Sequence, residues 1–285
     1  MGVSNASRSI GLPDQAALIA RAKQGDREAF SELYEPLEKP LGAFLYRLLA
    51  VREDAEDLMQ ETALKALESI ADFPGDSSFR TWMFRLAAEA GLAHLQGKRQ
   101  WDPDAVIRAG QIAGEDPGQR RKLQKLHRSG THSTYEIREH IDFCFTSMGR
   151  TLPPEENAAL LLIDVHGFTL EEAAETLGIS GKLVRFRLEQ ARQAMIDRYE
   201  SRCGLINKNG SCSQCAAFDT LLHGDRRHTE QALFQIEIDP QPNAQARAET
   251  FPKRLGIVRA ADPLHGEGRK IHDLLMTFTR ELNGY

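Results

Sequence analysis

Three of the four cysteines, Cys203, Cys212 and Cys215, fall within thirteen residues and end in a Cys-x-x-Cys pair. Thiolates at that spacing suit tetrahedral zinc, and the turn-forming Asn207-Lys208-Asn209-Gly210 between them can fold the cluster together. A fourth ligand could come from Cys144, which lies outside the cluster, or from His223 or His228. The same residues are equally compatible with ordinary reduced cysteines, or with a redox pair at Cys212 and Cys215. Nucleophilic catalysis by Cys212 or Cys215 would need a tail histidine as base. No glycine-rich phosphate loop, paired catalytic motif or metalloenzyme signature accompanies them, so no enzyme is expected and no cofactor beyond zinc at the cysteines.

Two other concentrations of chemistry are electrostatic. From Glu53 to Glu61 there are five carboxylates and no basic residue. Like charges repel along an isolated helix, and a basic partner would relieve them, although an acidic face can also simply be solvated. From Lys182 to Arg202 there are six basic residues against three acidic ones, in a chain whose net charge is −5. An acidic protein holds nucleic acid only through such a local patch or with assistance.

The elements that must carry these residues are helical. Thr169 to Ser180 reads as a short helix, a turn and a new cap. Thr169 pairs with Glu172 in a capping box, Ala173 allows close helix approach, Gly178 frees the turn and Ser180 caps the next helix. This is a helix-turn-helix, with Leu183, Val184, Leu188 and Ala191 expected inward. Lys182, Arg185, Phe186, Glu189 and Arg192 are expected on the face a major groove would meet. The acidic run has an apolar stripe at Ala55, Leu58/Met59, Thr62 and Ala66. Helical spacing extends from Asp14 to about Leu95, with breaks around Pro36, Pro40 and Pro74-Gly75.

The organisation expected is mainly α: a helical bundle at 14–97, a linker without steady apolar period at 98–134, and a helix-turn-helix unit at 135–202. A mixed extension at 203–285 completes it, with a strand-like Phe234 to Ile238 and a final amphipathic helix from about Lys270 to Leu282. There is no apolar run of membrane-spanning length and no secretion signal at Met1 to Pro13, so a cytoplasmic protein without a membrane partner is expected.

The run Asp54 to Leu67, the upstream Ala29-Phe30-Ser31-Glu32-Leu33-Tyr34 and the downstream Phe79 to Ala87 resemble domain two of extracytoplasmic-function sigma factors of the sigma-70 family. Leu152-Pro153-Pro154 through Gly167 and the helix-turn-helix to Arg192 resemble domain four. Both matches stand in family order and together span roughly half the chain. The resemblance implies an RNA polymerase sigma factor that binds core polymerase, through the largest-subunit clamp and the flap, and directs promoter recognition. It leaves open an anti-sigma factor as a further class of partner, and suggests a regulatory role for the extension. Asp57, Gln60 and Glu61 would dock on the clamp. Arg80 and Trp82 would meet the opened downstream element, Trp82 being equally suited to a core position. Lys182, Arg185 and Glu189 would read the upstream element, with Arg187 and Arg192 on phosphates. Family members commonly carry asparagine and aspartate where Glu89 and Ala93 stand, which puts promoter melting in question. The rival is a stand-alone helix-turn-helix regulator, against which the acidic helix argues. For the cysteines the expectation is zinc at Cys144, Cys203, Cys212 and Cys215.

Overall fold

In a computed structural model, the described residues are 12–75, 77–128, 137–204, 207, 209–223, 244–265 and 269–285, and their regular elements are helices, with no strand among them. The first bundle comprises α1 (Leu12–Lys23), α2 (Arg27–Leu49), α3 (Arg52–Ser69) and α4 (Phe79–Leu95). Asp26 caps α2 by accepting from the Glu28 and Ala29 amides, and Ser78 caps α4 by accepting from Thr81 N. Leu41, Phe44, Leu45, Leu48 and Leu49 of α2 are buried together with Met83, Phe84 and Ala87 of α4. On α3 the stripe Ala55, Leu58, Thr62, Ala66 is buried, as the spacing predicts.

Pro36 and Pro40 do not break α2, contrary to expectation. Pro36 lies on the solvent side and Pro40 at its margin, so the carbonyls they free can turn to water. The stretch read as a linker is also ordered, into α5 (Ala105–Glu115) and α6 (Pro117–Arg128). Its apolar face, with Val106, Ile107, Ala109 and Ala113 buried, packs on elements far downstream.

The second unit holds α7 (Ile137–Gly149), α8 (Pro154–Leu160) with a π-helical continuation Leu161–Val165, α9 (Leu170–Leu177) and α10 (Gly181–Arg202). The tail adds α11 (Gln214–His223), α12 (Ala244–Ala260) and α13 (Arg269–Leu282). The expected final helix is therefore present, whereas Phe234 to Ile238 and His228 lie outside the described residues.

The tail joins both units. Arg47 of α2 is 2% exposed, and its Nε donates to Asp142 Oδ1 of α7 at 2.9 Å. Its Nη2 donates to Val258 O and Ala261 O at 2.7 and 3.1 Å, so one guanidinium fastens the bundle, the second unit and α12. Burial pushes the Asp142 carboxyl up, and Arg47 pulls in the opposite direction. Arg52 at the start of α3 adds a second tie, to Leu264 O at 2.9 Å and to Asp273 of α13 at 3.1 Å.

Candidate functional site

The acidic helix supplies the first surface. Arg52 lies 3.7 Å from Glu56, Arg280 of α13 lies 3.7 Å from Glu53, and His94 meets Asp54 at 2.8 Å with Lys98 at 3.8 Å. Among the described residues no cation pairs with Asp57 or Glu61, and both are exposed, as is Gln60 between them. Two of the three residues expected to dock a partner, Asp57 and Glu61, are thus the carboxylates of the run that no cation among the described residues compensates.

The second surface is the start of α10. Thr169 Oγ1 accepts from Glu172 N at 3.2 Å, and Glu172 Oε2 accepts from Thr169 N at 2.8 Å, closing the expected capping box. Gly178 adopts φ +63° in the turn, and Ser180 Oγ accepts from Leu183 N at 3.3 Å. The buried stripe of α10 is Val184, Leu188, Ala191, Met195 and Tyr199. Leu183, expected inward, is 38% exposed, because it stands one residue, about 100° of helix, off that stripe. Lys182, Arg185, Phe186 and Glu189 are exposed along one face, and Arg187 is half-buried.

Two of the expected contacts are already taken. Arg192 makes a two-pronged bond to the buried Asp164 carboxylate, at 2.8 Å through Nε and 2.6 Å through Nη2. Arg80 of α4 donates to His166 O at 2.5 Å, and its guanidinium lies 3.9 Å from the centre of the Phe168 ring. Burial lowers the Arg80 pKa, an effect opposed by Glu172. Helix α4 packs directly on α9, so the first unit's proposed DNA residue lies against the helix-turn-helix. Trp82 is half-buried beside Phe73 and Phe79, with ring centres at 5.1 and 5.7 Å, which is the core position. Glu89 is exposed and pairs with Arg85 at 3.1 Å and Lys65 at 3.7 Å, and Ala93 is exposed.

The cysteines form a third locus. Cys144 of α7, Cys203 at the end of α10, Cys212 and Cys215 all line one cavity of about 80 Å³, together with Tyr199 and Arg254 of α12. In the segment where a turn is expected, Gly210 N donates to Asn207 O at 2.8 Å, and Lys208 lies outside the described residues. As they stand, no three His, Cys, Asp or Glu side chains among the described residues are disposed to hold an ion. Arg254 was not visible in the sequence: nothing local marks it, and its contacts lie 51 residues away and more.

Residues 33–100 match the sigma-70 region 2 family, and residues 143–195 match sigma-70 region 4. An extracytoplasmic-function sigma factor named SigG from Mycobacterium tuberculosis is 31% identical over 185 residues, covering 62% of this chain. The chain spans 49% of that relative's length. The extracytoplasmic-function sigma-E factor of Haemophilus influenzae is 28% identical over 189 residues, covering 66% of this chain and 96% of its own. Among solved structures, the Bartonella quintana sigma factor RpoE, bound to its anti-sigma factor NepR, is 20% identical with a TM-score of 0.43. That match covers 60% of this chain and 96% of the other.

Proposed function

This chain belongs to the extracytoplasmic-function sigma factors of the sigma-70 family, and we propose from that premise that it binds RNA polymerase core and directs it to promoters. The observation that carries the reading is the separation of two unpaired charged faces, one in each matched region. Among the described residues, Asp57 and Glu61 in region 2 pair with no cation, and Lys182 and Arg185 in region 4 pair with no carboxylate. The first face suits the basic surface of the clamp on the largest polymerase subunit. The second suits the major groove of the upstream promoter element, with Glu189 able to accept from a cytosine amino group. The end of the second region faces the flap.

On this reading Arg80 reaches nucleic acid only after α9 has moved off α4, because its guanidinium is held by His166 O and Phe168. Arg192 contributes by fixing α10 on Asp164 more than by touching phosphate. The test is capture of core polymerase by the full chain, compared with the double variant Asp57→Lys, Glu61→Lys, followed by transcription from a random promoter library. Core binding lost on charge reversal, with start sites selected by the native chain, is the expected result. Core binding unaffected by the reversal, or DNA binding without any core binding, would favour the stand-alone regulator instead.

A further inference from the structure

The four cysteines come from three helices and a loop and nevertheless face one cavity. The backbone is built to bring two of them together. Cys212 N donates to Arg202 O and Gly204 N donates to Cys212 O, both at 2.8 Å. A Cβ on Gly204 would lie 2.6 Å from Cys212 O, and one on Gly210 would lie 2.7 Å from Arg202 O. Only glycine permits this approach, so the Cys203–Cys212 pairing is written into the loop.

The wall of the cavity carries an unexplained charge. Arg254 is 1% exposed, yet no carboxylate pairs with it among the described residues. Its Nη2 donates to Cys203 Sγ at 3.1 Å, its guanidinium lies 4.5 Å from the centre of the Tyr199 ring, and its Nε has no hydrogen-bond partner. A buried cation is stable only beside an anion or a full set of acceptors. Neutral thiols supply neither.

We propose that Cys144, Cys203, Cys212 and Cys215 bind one zinc ion as a tetrathiolate site, with Arg254 as its outer-shell hydrogen-bond donor. The site does not rest on the sigma-factor reading. Zinc entry converts four S–H bonds into four Zn–S bonds and releases four protons, with no change of oxidation state. The resulting centre carries two negative charges, which answers the buried guanidinium, and N–H···S bonds from such a donor orient and stabilise the thiolates. As they stand no three of these side chains are disposed to hold an ion, so the proposed binding requires that ion entry draw the thiols together. Binding would lock α11 and the end of α10 onto α7.

The test uses the purified full chain, stripped of metal under reductant and titrated with cobalt(II), then zinc. One equivalent of cobalt should give the sulfur-to-metal charge-transfer band and intense visible bands of a tetrahedral thiolate site, and zinc should abolish both. Four cysteines should become protected from alkylation on loading, with four protons released. Cys144→Ser should change the cobalt spectrum, and Arg254→Met should keep the spectrum while weakening affinity about tenfold or more. A reduced native chain that gives no stoichiometric tetrahedral cobalt spectrum would overturn the site, without any variant having to fold. So would a spectrum indifferent to Cys144→Ser, or disulfide formation among these cysteines that proceeds equally with and without metal. An unchanged affinity in Arg254→Met would remove the outer-shell assignment.

Discussion

His166 makes the contact between the two regions sensitive to pH. It follows the π-helical turn Leu161–Val165, with ring centres 5.9 Å from Phe44 and 5.2 Å from Phe84, both on the first bundle. The residue as a whole is partly exposed, but its Nε2 is fully buried and without a partner, and that atom decides the cost of a proton. Burial, then the charges of Arg47 and Arg80, hold its pKa at about 3, against 6.5 in an open chain. With the folded value depressed, the unfolded chain binds the extra proton first. The contribution to stability is intact above pH 6.5 and is lost as the pH falls from there toward 3. Between pH 7 and pH 5 the loss from this one group is about 2 kcal/mol, with a limiting slope of about 1.4 kcal/mol per pH unit. His166→Leu removes the titration and no hydrogen bond at Nε2. Urea unfolding of both proteins at pH 7 and pH 5, at fixed ionic strength, isolates the term because every other group is common to both. The native chain should lose about 2 kcal/mol more than the variant over that interval. Equal losses would refute the assignment of a buried, neutral His166 to this contact.

Three further outcomes follow from the same contacts. Arg47→Met should destabilise the folded chain by about 3–5 kcal/mol at neutral pH, since it leaves the Asp142 carboxylate buried and alone. Asp142 already has a raised pKa, and without Arg47 it rises further, so the deficit against the native chain should shrink in acid as that carboxyl protonates; denaturant midpoints at several pH values measure it. Thr169→Ala, which deletes one arm of the capping box, should cost about 0.5–2 kcal/mol in the same assay. Arg185→Ala should weaken binding of the selected promoter by about 1–3 kcal/mol and relax preference at a single base position, read by competition with single-base variants; a uniform loss across sequences would make Arg185 a phosphate contact instead.

What could be read from the sequence was local. The cap at Thr169, the turn at Gly178 and the cap at Ser180 each depend on residues within four positions, and all three are present. The stripe on α3 was legible for the same reason. The helices of the supposed linker were not, because Val106 and Ile107 bury against the tail, more than a hundred residues away, and a short segment with distant partners shows little period of its own. Arg47 looked like any arginine on an amphipathic helix. Only the fold brings Asp142, Val258 and Ala261 to it. Cys144 lay between these extremes: its membership of the cluster could be named as one of three options, and the tertiary fold puts it on the shared cavity.

The division between free and occupied residues bears on how the two regions work together. Lys182 and Arg185 are exposed, so the face proposed to read the upstream element needs no rearrangement to meet a groove. Arg80 is in the opposite condition, stacked on Phe168 and bonded to the His166 carbonyl. Nucleic acid that engages Arg80 must replace a cation–π contact and a charge-assisted hydrogen bond, and both belong to region 4. On the proposed role of Arg80, engagement of the downstream element by region 2 is therefore coupled to the position of region 4. The tail resists that separation, because Arg47 and Arg52 tie α2 and α3 to α12, Leu264 and α13. On the proposed reading, the geometry that leaves Lys182 and Arg185 open sets a cost on engagement of Arg80, and a basic partner on Asp57 and Glu61 would act on α3, the helix that follows directly from the Arg47 anchor.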